Sequence, residues 1–272
     1  MSYEVLDDVA TGRNDKLYSV FQQRQLHENQ VLLISAAQQT SGIGTNGRVW
    51  QSPIGNIYAT FIFPWPVESV RLLSYVAQVA NLAICETVEN FGLTPQLKWV
   101  NDMLLDGKKS AGILCKNVGE LRCFTLTDSE SVISSRRYSS LVVGIGLNVN
   151  MDESTAESRF IATTDLMKVP FSSMKIATST EFNVEDVFSL LQRNLLKNYK
   201  ILLSEGDFYR SFHAELDRRL AYRGEVVLYQ ENESSEPIKA VLTGIDENGY
   251  AMLNYEDGKN GIVMTGRIRP FN

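Results

Sequence analysis

Cysteine and histidine are scarce in this 272-residue chain, which contains three cysteines and two histidines. Cys85, Cys115 and Cys123 form no CxxC pair and have no histidine nearby in the sequence, which argues against a disulfide framework and against a zinc site. With only His27 and His213 available, a Ser-His-Asp or Cys-His catalytic group is not expected. Each histidine is more simply interpreted as a surface or boundary side chain. The cysteine usage indicates a reducing, cytoplasmic setting.

Long apolar runs and excess positive charge are also missing. The most apolar region is uncharged only from Leu72 to Cys85, which is shorter than the ~18 residues that a membrane span needs. The first residues carry acids and no apolar stretch, so we expect neither a signal peptide nor membrane association. Because 26 basic residues face 32 acidic ones, the net charge is −6. Bulk nucleic-acid binding is therefore disfavoured, although a local basic site could still hold one phosphate group.

Helical and strand-like patterns are mixed along most of the chain. Apolar spacing predicts a buried helix between Val67 and Phe91 and a second helix from Asn183, which can cap it. Short β-branched or aromatic-rich segments predict strands at 31–37, 56–63, 112–116, 121–127 and 141–149. Ser- and Thr-rich stretches predict loops at 128–140 and 152–181. Because there is no regular βαβ alternation, we predict an α+β fold with a mixed or antiparallel β-sheet flanked by helices.

After about residue 219 the pattern changes to short strands separated by turns, with no helix between them. The strand candidates are GEVVLYQ, IKAVLTGI, YAMLNYE and GIVMTGRI, and turn signals separate them at 247–249 and 256–258. A small β-barrel appended to a larger domain accounts for this pattern and for the chain length. We therefore predict a large domain at 1–218 and a C-terminal barrel at 219–272.

A glycine-rich segment from Gly42 to Gly47, GIGTNG, has the spacing GxGxxG after a predicted strand. The dinucleotide-binding fingerprint requires a helix to open at the third glycine, whereas this chain continues through Ser52 and Pro53 into another strand. We therefore reject that interpretation. The loop can still cradle a phosphate with its backbone N–H groups, and Arg48 can add a charged donor. An ordinary glycine turn is an equally good interpretation of this segment alone.

Lysine and aspartate cluster in a second segment, KWVND at 98–102, which is followed by Lys109 beside small residues. At the start of an apolar strand, the Lys109 ammonium can reach a buried carboxylate or a phosphate. The competing interpretation is a solvated hairpin tip, in which Asn101 and Asp102 only cap a turn. A third segment, GIGLNVN from Gly144, places glycines inside a strand, where either a ligand or another part of the chain approaches closely.

Taken in this order, these segments resemble the motifs of biotin protein ligases. The family's glycine- and arginine-rich loop resembles 39–56, its Lys-Trp-Pro-Asn-Asp motif resembles 98–102, its Lys-x-x-Gly-Ile-Leu motif matches 109–114, and its Gly-x-Gly-x-Asn strand matches 144–148. Each motif is weak alone, but the ordered set is specific and spans nearly the whole chain. The resemblance implies the biotin/lipoate protein ligase fold, with an α+β catalytic domain and a C-terminal SH3-like barrel.

The resemblance also implies an ATP-dependent ligase. Biotin forms biotinyl-5′-AMP with ATP, Mg²⁺ neutralises the phosphates, and biotin then passes to a lysine of a biotin carboxyl carrier domain, as in acetyl-CoA or propionyl-CoA carboxylase. Family positions with catalytic roles correspond to Lys109, Arg48 and Asp102. Positions that contact biotin correspond to Gln39, Gly42, Lys109, Gly112 and Gly144. Positions that contact ATP or the adenylate correspond to Arg48, Trp50, Asn101 and Asn148, and no protein metal ligand is implied.

Departures from the family pattern bear on this function. Ile43 and Thr45 stand where the family usually carries arginines, which weakens the expected hold on the adenylate. The family's N-terminal Ser-Thr-Asn has its nearest match at 11–14, TGRN, whose arginine could restore positive charge. Val100 replaces the family proline, which removes a fixed φ but no donor that the chemistry needs.

Other expectations follow from the resemblance and its departures. Because the first methionine lies only a few residues before the matching region, we expect a ligase without an N-terminal DNA-binding domain and without repressor activity. Two other functions stay open: a lipoate ligase of related fold, and a module that binds biotin or its adenylate without turnover. Family analogy suggests a homodimer.

Overall fold

The computed structural model describes residues 3–7, 26–121, 123–126, 131–133, 136–162, 167–204 and 208–271. The chain forms two compact units, one made of Met1–Leu73 and Ile113–Gly146 and the other of Ser74–Gly112 and Leu147–Asn272. In the residues listed above, strands and helices are mixed without a regular βαβ alternation, so the predicted α+β class is confirmed. The division into 1–218 and 219–272 stays a prediction.

Strands and helices are numbered in chain order. The strands are β1 (Tyr3–Asp7), β2 (Leu26–His27), β3 (Val31–Ala36), β4 (Ile57–Pro66), β5 (Pro95–Lys98), β6 (Asp102–Leu105), β7 (Lys108–Leu121), β8 (Cys123–Leu126), β9 (Ser131–Ile133), β10 (Tyr138–Leu147), β11 (Val226–Gln230), β12 (Ile238–Ile245), β13 (Ala251–Tyr255), β14 (Asn260–Val263) and β15 (Arg267–Pro270). The helices are α1 (Leu73–Glu89), α2 (Glu153–Ala162), α3 (Met174–Thr178), α4 (Val184–Leu203) and α5 (Phe208–Arg218). Short 3₁₀ segments cover Thr45–Gly47 and Val67–Leu72.

The first unit is built around a sheet with the strand order β1, β3, β4, β10 and β7. To this unit β7 contributes its residues from Ile113 onward, and β10 its residues up to Gly146. β1 runs parallel to β3, and β3 runs antiparallel to β4 with Leu33 opposite Phe61. Most residues of β3 and β4 are buried, which accounts for their nearly continuous apolar sequences. A smaller sheet of the same unit has the order β2, β8 and β9.

Helix α1 in the second unit is buried over most of its surface, as its apolar sequence predicts. Two of its buried polar side chains donate to backbone carbonyl oxygens: Asn81 to that of Asp102 at 2.7 Å, and the Thr87 hydroxyl to that of Ala83 at 2.7 Å. Such partners matter because leaving a buried donor unpaired costs about 1–3 kcal/mol. Within the described ranges, no helix is both long enough and apolar enough to cross a membrane.

The C-terminal residues of the second unit form a five-stranded antiparallel sheet with the order β14, β13, β12, β11 and β15. This sheet has one more strand than the sequence predicts, because the segment GIVMTGRI breaks into β14 and β15. Gly266 lies at the break with a φ of 121°, and a Cβ there would approach the Tyr229 ring to 2.5 Å. Only glycine adopts that conformation readily, so an extended strand ends there.

Two segments predicted as loops contain regular structure, so that prediction was wrong. Residues 152–181 include α2 and α3, and residues 128–140 include β9 and the start of β10. The reason is that Ser and Asp favour helix N-caps as well as turns. The Asp152 carboxylate accepts a backbone N–H of α2 at 2.8 Å, and the Ser173 hydroxyl accepts a backbone N–H of α3 at 3.0 Å. Asn183 caps α4, as predicted.

Candidate functional site

The glycine-rich segment folds into a β-hairpin, which we call the glycine hairpin (residues 39–52). Gln39 and Ser52 form an antiparallel bridge at its base. Its tip is the 3₁₀ turn Thr45–Gly47, and the chain leaves this turn in an extended conformation. No helix opens there, which confirms the rejection of a dinucleotide-binding fingerprint. Arg48 Nε donates to the Thr45 carbonyl oxygen at 3.0 Å, so the guanidinium lies beside the tip.

Gly42 is the most tightly enclosed of the glycines in the glycine hairpin. A Cβ on Gly42 would lie 2.3 Å from the Trp50 carbonyl oxygen and 2.8 Å from Gln39 Oε1. The first of these atoms belongs to the backbone, so a larger residue requires the hairpin itself to shift. The Ser52 hydroxyl donates to Gln39 Oε1 at 2.8 Å and thereby orients the Gln39 amide.

The two strand glycines of β10 have different surroundings within the first unit. A Cβ on Gly146 would lie 2.7 Å from the Trp50 indole, so this glycine makes room for that ring. A Cβ on Gly144 would lie 3.5 Å from the Leu114 carbonyl oxygen, which is an ordinary contact. Packing against the described residues therefore explains a glycine at 146 but does not require one at 144.

Two lysines converge on one buried carboxylate in the second unit. Asp102 Oδ1 lies 2.5 Å from Lys109 Nζ, and Asp102 Oδ2 lies 2.9 Å from Lys98 Nζ. The side chains of Asp102 and Lys98 are each 9% exposed, whereas that of Lys109 is 19% exposed. We call these three residues the lysine–aspartate cluster. Two ammonium groups and one carboxylate leave one net positive charge, and Lys109 is the most accessible member.

The ionisation of Asp102 follows from this geometry. Burial by itself raises the pKa of the Asp102 carboxyl, but the ammonium groups of Lys109 and Lys98 lower that pKa well below its usual range through their charge and their hydrogen bonds. Asp102 is therefore a carboxylate at neutral pH. The position of the Lys109 ammonium is thereby set by a buried, permanently charged partner.

A hairpin turn and a β-bulge bring Lys109 to Asp102. Asp106 and Gly107 adopt left-handed conformations with φ of 50° and 70°, which confirms the predicted hairpin tip. The pairing of β6 with β7 then shifts register beside Lys109, leaving Ser110 as an extra residue. Bulges of this kind redirect side chains. The two interpretations of this segment are therefore compatible, since Lys109 follows a hairpin tip and still points to a buried carboxylate.

Other residues of the KWVND segment have different environments. Trp99 is 2% exposed, and its Nε1 donates to the Gly249 carbonyl oxygen at 3.1 Å, so Trp99 is a core residue of the second unit. Asn101 lies in the half-exposed turn between β5 and β6. Gly112 pairs with Asp102 across β6 and β7.

Asn148 follows β10 directly and is fully buried. Its Nδ2 donates to the Ser172 carbonyl oxygen at 2.9 Å, and its Oδ1 accepts from Arg159 Nη1 at 3.1 Å. Its backbone N–H donates to the Ser110 carbonyl oxygen at 2.8 Å. Sequence reasoning missed Arg159 because α2 was predicted as a loop, and no sequence motif marks that arginine.

The predicted site residues divide between the two units. The first unit contains Gln39, Gly42, Arg48, Trp50 and Gly144, and the second contains Asn101, Asp102, Lys109, Gly112 and Asn148. The N-terminal match at 11–14 lies outside the described residues. In the part of the chain that the structure describes, no three His, Cys, Asp or Glu side chains are grouped to hold a metal ion.

Sequence comparisons identify related proteins. Residues 11–126 match the model of the biotin/lipoate A/B protein ligase family. The chain is 34% identical over 136 residues to the bifunctional ligase/repressor BirA of Bacillus spizizenii, across 48% of this chain and 37% of that protein. It is 30% identical over 120 residues to the biotin–[acetyl-CoA-carboxylase] ligase of Paracoccus denitrificans, across 43% of each. These alignments span less than half the length of either relative.

The fold is similar to solved structures along nearly the whole chain. A biotin protein ligase from Aquifex aeolicus, solved in complex with biotin and ATP, matches 98% of this chain and 97% of its own with a TM-score of 0.70 and 23% identity. The predicted fold type is thereby confirmed. The chain therefore has the fold of the solved biotin protein ligase, and its residues 11–126 match the biotin/lipoate A/B protein ligase family.

Proposed function

We propose that this chain is an ATP-dependent biotin protein ligase. The observation that carries the proposal is the lysine–aspartate cluster, in which a buried carboxylate positions the partly exposed ammonium of Lys109. The reaction that fits begins when a biotin carboxylate oxygen attacks the α-phosphorus of ATP and pyrophosphate leaves. A lysine amine of an acceptor then attacks the acyl carbon of biotinyl-5′-AMP, and AMP leaves with its bonding electrons as an amide forms.

Lys109 is suited to the first of these steps. Negative charge accumulates on the carboxylate and phosphate oxygens as they approach each other, and a fixed cation stabilises that charge without reorganising. Asp102 orients the ammonium, and Lys98 keeps the cluster net positive when Asp102 is charged. Mg²⁺ would accompany ATP as the counter-ion of its phosphates.

The glycine hairpin and β10 supply the other proposed contacts, within the first unit. Arg48 is a charged donor beside a tight turn and suits a phosphate. We place Trp50 beside adenosine, because a base can stack on an indole ring. On the biotin side we place Gln39, Gly42 and Gly144. Gly144 supports this assignment because its own unit leaves room for a methyl group there, so a ligand gives the better reason for a glycine.

In the second unit, the remaining contacts come from the neighbourhood of Lys109. We place Gly112 beside biotin, and Asn101 and Asn148 beside adenosine. The name of the Paracoccus relative supports a carrier domain of acetyl-CoA carboxylase as the acceptor, and propionyl-CoA carboxylase offers the same chemistry. A cytoplasmic location and a homodimer stay predictions.

Pyrophosphate exchange tests the proposal. Purified protein is incubated with ATP, Mg²⁺ and labelled pyrophosphate, with biotin in one reaction and lipoate in a parallel one. Incorporation of label into ATP with biotin alone supports the proposal. Incorporation with lipoate alone would assign lipoate as the substrate. Absence of exchange despite calorimetric binding of biotin would leave a binding module without turnover.

A further inference from the structure

A buried guanidinium lies beside Asn148 in the second unit. Arg159 projects from α2 and is only 4% exposed. Its Nη1 donates to Asn148 Oδ1 at 3.1 Å, and the same nitrogen lies 3.0 Å from Met151 Sδ. The guanidinium carbon is 5.1 Å from the centroid of the Phe171 ring, within range of a cation–π contact.

Arg159 and Ser172 occupy the side-chain amide of Asn148, which is the group that would recognise a purine base. A side-chain amide recognises adenine by accepting from its N6 amino group while donating to N7. Asn148 Oδ1 already accepts from Arg159, and Nδ2 already donates to the Ser172 carbonyl oxygen. A guanidinium and an adenine base are both flat, both carry N–H donors along one edge, and both stack on aromatic rings. Arg159 therefore lies over the Phe171 ring and donates to Asn148, and a bound adenine could replace it in both contacts.

The same residues lie next to Lys109. The Lys109 N–H donates to the Pro170 carbonyl oxygen at 2.7 Å, and the Ser172 N–H donates to the Lys109 carbonyl oxygen at 2.9 Å. Phe171 is therefore the backbone neighbour of Lys109 in a parallel bridge. A base stacked on Phe171 would accordingly be adjacent to the ammonium that we assign to the phosphate.

We propose that Arg159 is an internal competitor of the nucleotide base, holding the position between Phe171 and Asn148 until adenine displaces it. This inference rests on the proposed function, since it takes Asn148 as an adenosine contact. Displacement is feasible because a guanidinium on a long side chain is readily hydrated once it leaves. Arg159 then sets the affinity of the protein for ATP and adds a requirement that the entering base offer an amino donor to Asn148.

The test measures adenosine and ATP affinities by calorimetry without biotin, for the unmodified protein and for Arg159→Ala. Removing the competitor should tighten binding of both ligands about tenfold or more, the scale of one hydrogen bond to a charged group. GTP should gain less, because guanine carries a carbonyl where adenine carries the amino donor. Arg159→Lys, which keeps the charge but not the flat donor edge, should also bind adenosine more tightly.

Lys168→Ala is the matched control. The Lys168 ammonium makes a cation–π contact at 4.2 Å with Phe160, which lies in the same helix as Arg159. Its loss therefore removes a comparable contact without freeing Asn148. Its adenosine affinity should be unchanged. If Arg159→Ala melts at a much lower temperature than Lys168→Ala, the adenosine affinity of Arg159→Lys replaces that of Arg159→Ala as the test of the proposal.

Three results would overturn the proposal. Weaker ATP binding with unchanged adenosine binding would make Arg159 a phosphate ligand. Weaker binding of both would make it a positioning residue for Asn148, and unchanged binding of both would make it a structural residue only. The proposed function is judged separately. If biotin supports no pyrophosphate exchange but Arg159→Ala still tightens adenosine binding, the ligase assignment fails, whereas the role of Arg159 as a competitor of adenine is retained.

Discussion

Lys109 Nζ lies 2.5 Å from Asp102 Oδ1. A β-bulge between the strands of these two residues brings them together, and the sequence carries no signal for that bulge. This contact joins two motifs that are separate along the chain, KWVND and KSAGIL. It gives the Lys109 ammonium a fixed position and a charged partner while leaving the side chain 19% exposed. The same contact determines what we expect from substitutions of either residue.

Replacing Lys109 by alanine should lower biotin-dependent pyrophosphate exchange by at least ~10²-fold, the scale of losing one preorganised charge-stabilising donor. Lys108→Ala is the matched control, since Lys108 is the exposed neighbour in the same turn and should leave exchange unchanged. Equal rates for Lys109→Ala and the unmodified protein would remove Lys109 from the mechanism.

Replacing Asp102 by asparagine should destabilise the protein by about 3–5 kcal/mol at pH 7, because two lysines then lose their buried partner. The Asp102 pKa is lowered on folding, so its stabilising contribution is complete above the unfolded pKa of about 3.9 and is lost as the pH falls below that value. Denaturant unfolding should show a constant difference between the two proteins from pH 7 to pH 5 and a shrinking one below about pH 4. A difference that grows on acidification would contradict this assignment.

The two glycines of β10 should respond differently to a methyl group. Gly146→Ala should destabilise the protein by about 1–3 kcal/mol, because its Cβ meets the Trp50 indole. Gly144→Ala should leave the melting temperature nearly unchanged and weaken biotin binding about tenfold or more in calorimetry. Full biotin affinity in Gly144→Ala would remove this position from the biotin site.

The two tryptophans of the motifs form another comparison. Trp99→Ala should cost about 3–5 kcal/mol, since the ring is buried and bonded to the Gly249 carbonyl oxygen. Trp50→Ala should leave the fold intact and weaken ATP binding by about 1–3 kcal/mol, the scale of stacking one base on an aromatic ring. Global unfolding of Trp50→Ala, seen by circular dichroism, would instead identify Trp50 as a core residue.

Restoring an arginine to the glycine hairpin should strengthen its hold on the intermediate. Ile43 is 47% exposed, so Ile43→Arg introduces a guanidinium without burying it. Dissociation of preformed biotinyl-5′-AMP should slow about tenfold, as expected for one charged hydrogen bond. Ile43→Gln, which adds length but no charge, is the control, and an equal effect of both substitutions would rule out a charge contribution.

Local patterns allowed much of the fold to be predicted. The apolar run after Val67 indicated a buried helix, Asn183 indicated a helix start, and Asp106-Gly107 indicated a turn. These signals act within a few residues and depend on side-chain chemistry alone. The same reasoning wrongly predicted a loop at 152–181, because Ser and Asp are favoured both in turns and at the N-caps of helices.

The sequence by itself determined the α+β class, the motif order, the family resemblance and the residue types available for acyl-phosphate chemistry. Only the tertiary structure decided that Asp102 pairs with both Lys98 and Lys109 and that Trp99 packs in the core. It also decided that Arg159 donates a hydrogen bond to Asn148. The physical reason is that each of these contacts depends on strand register or on a helix packed from elsewhere in the chain. A register shift of one residue at a bulge redirects a side chain without leaving a local signal in the sequence.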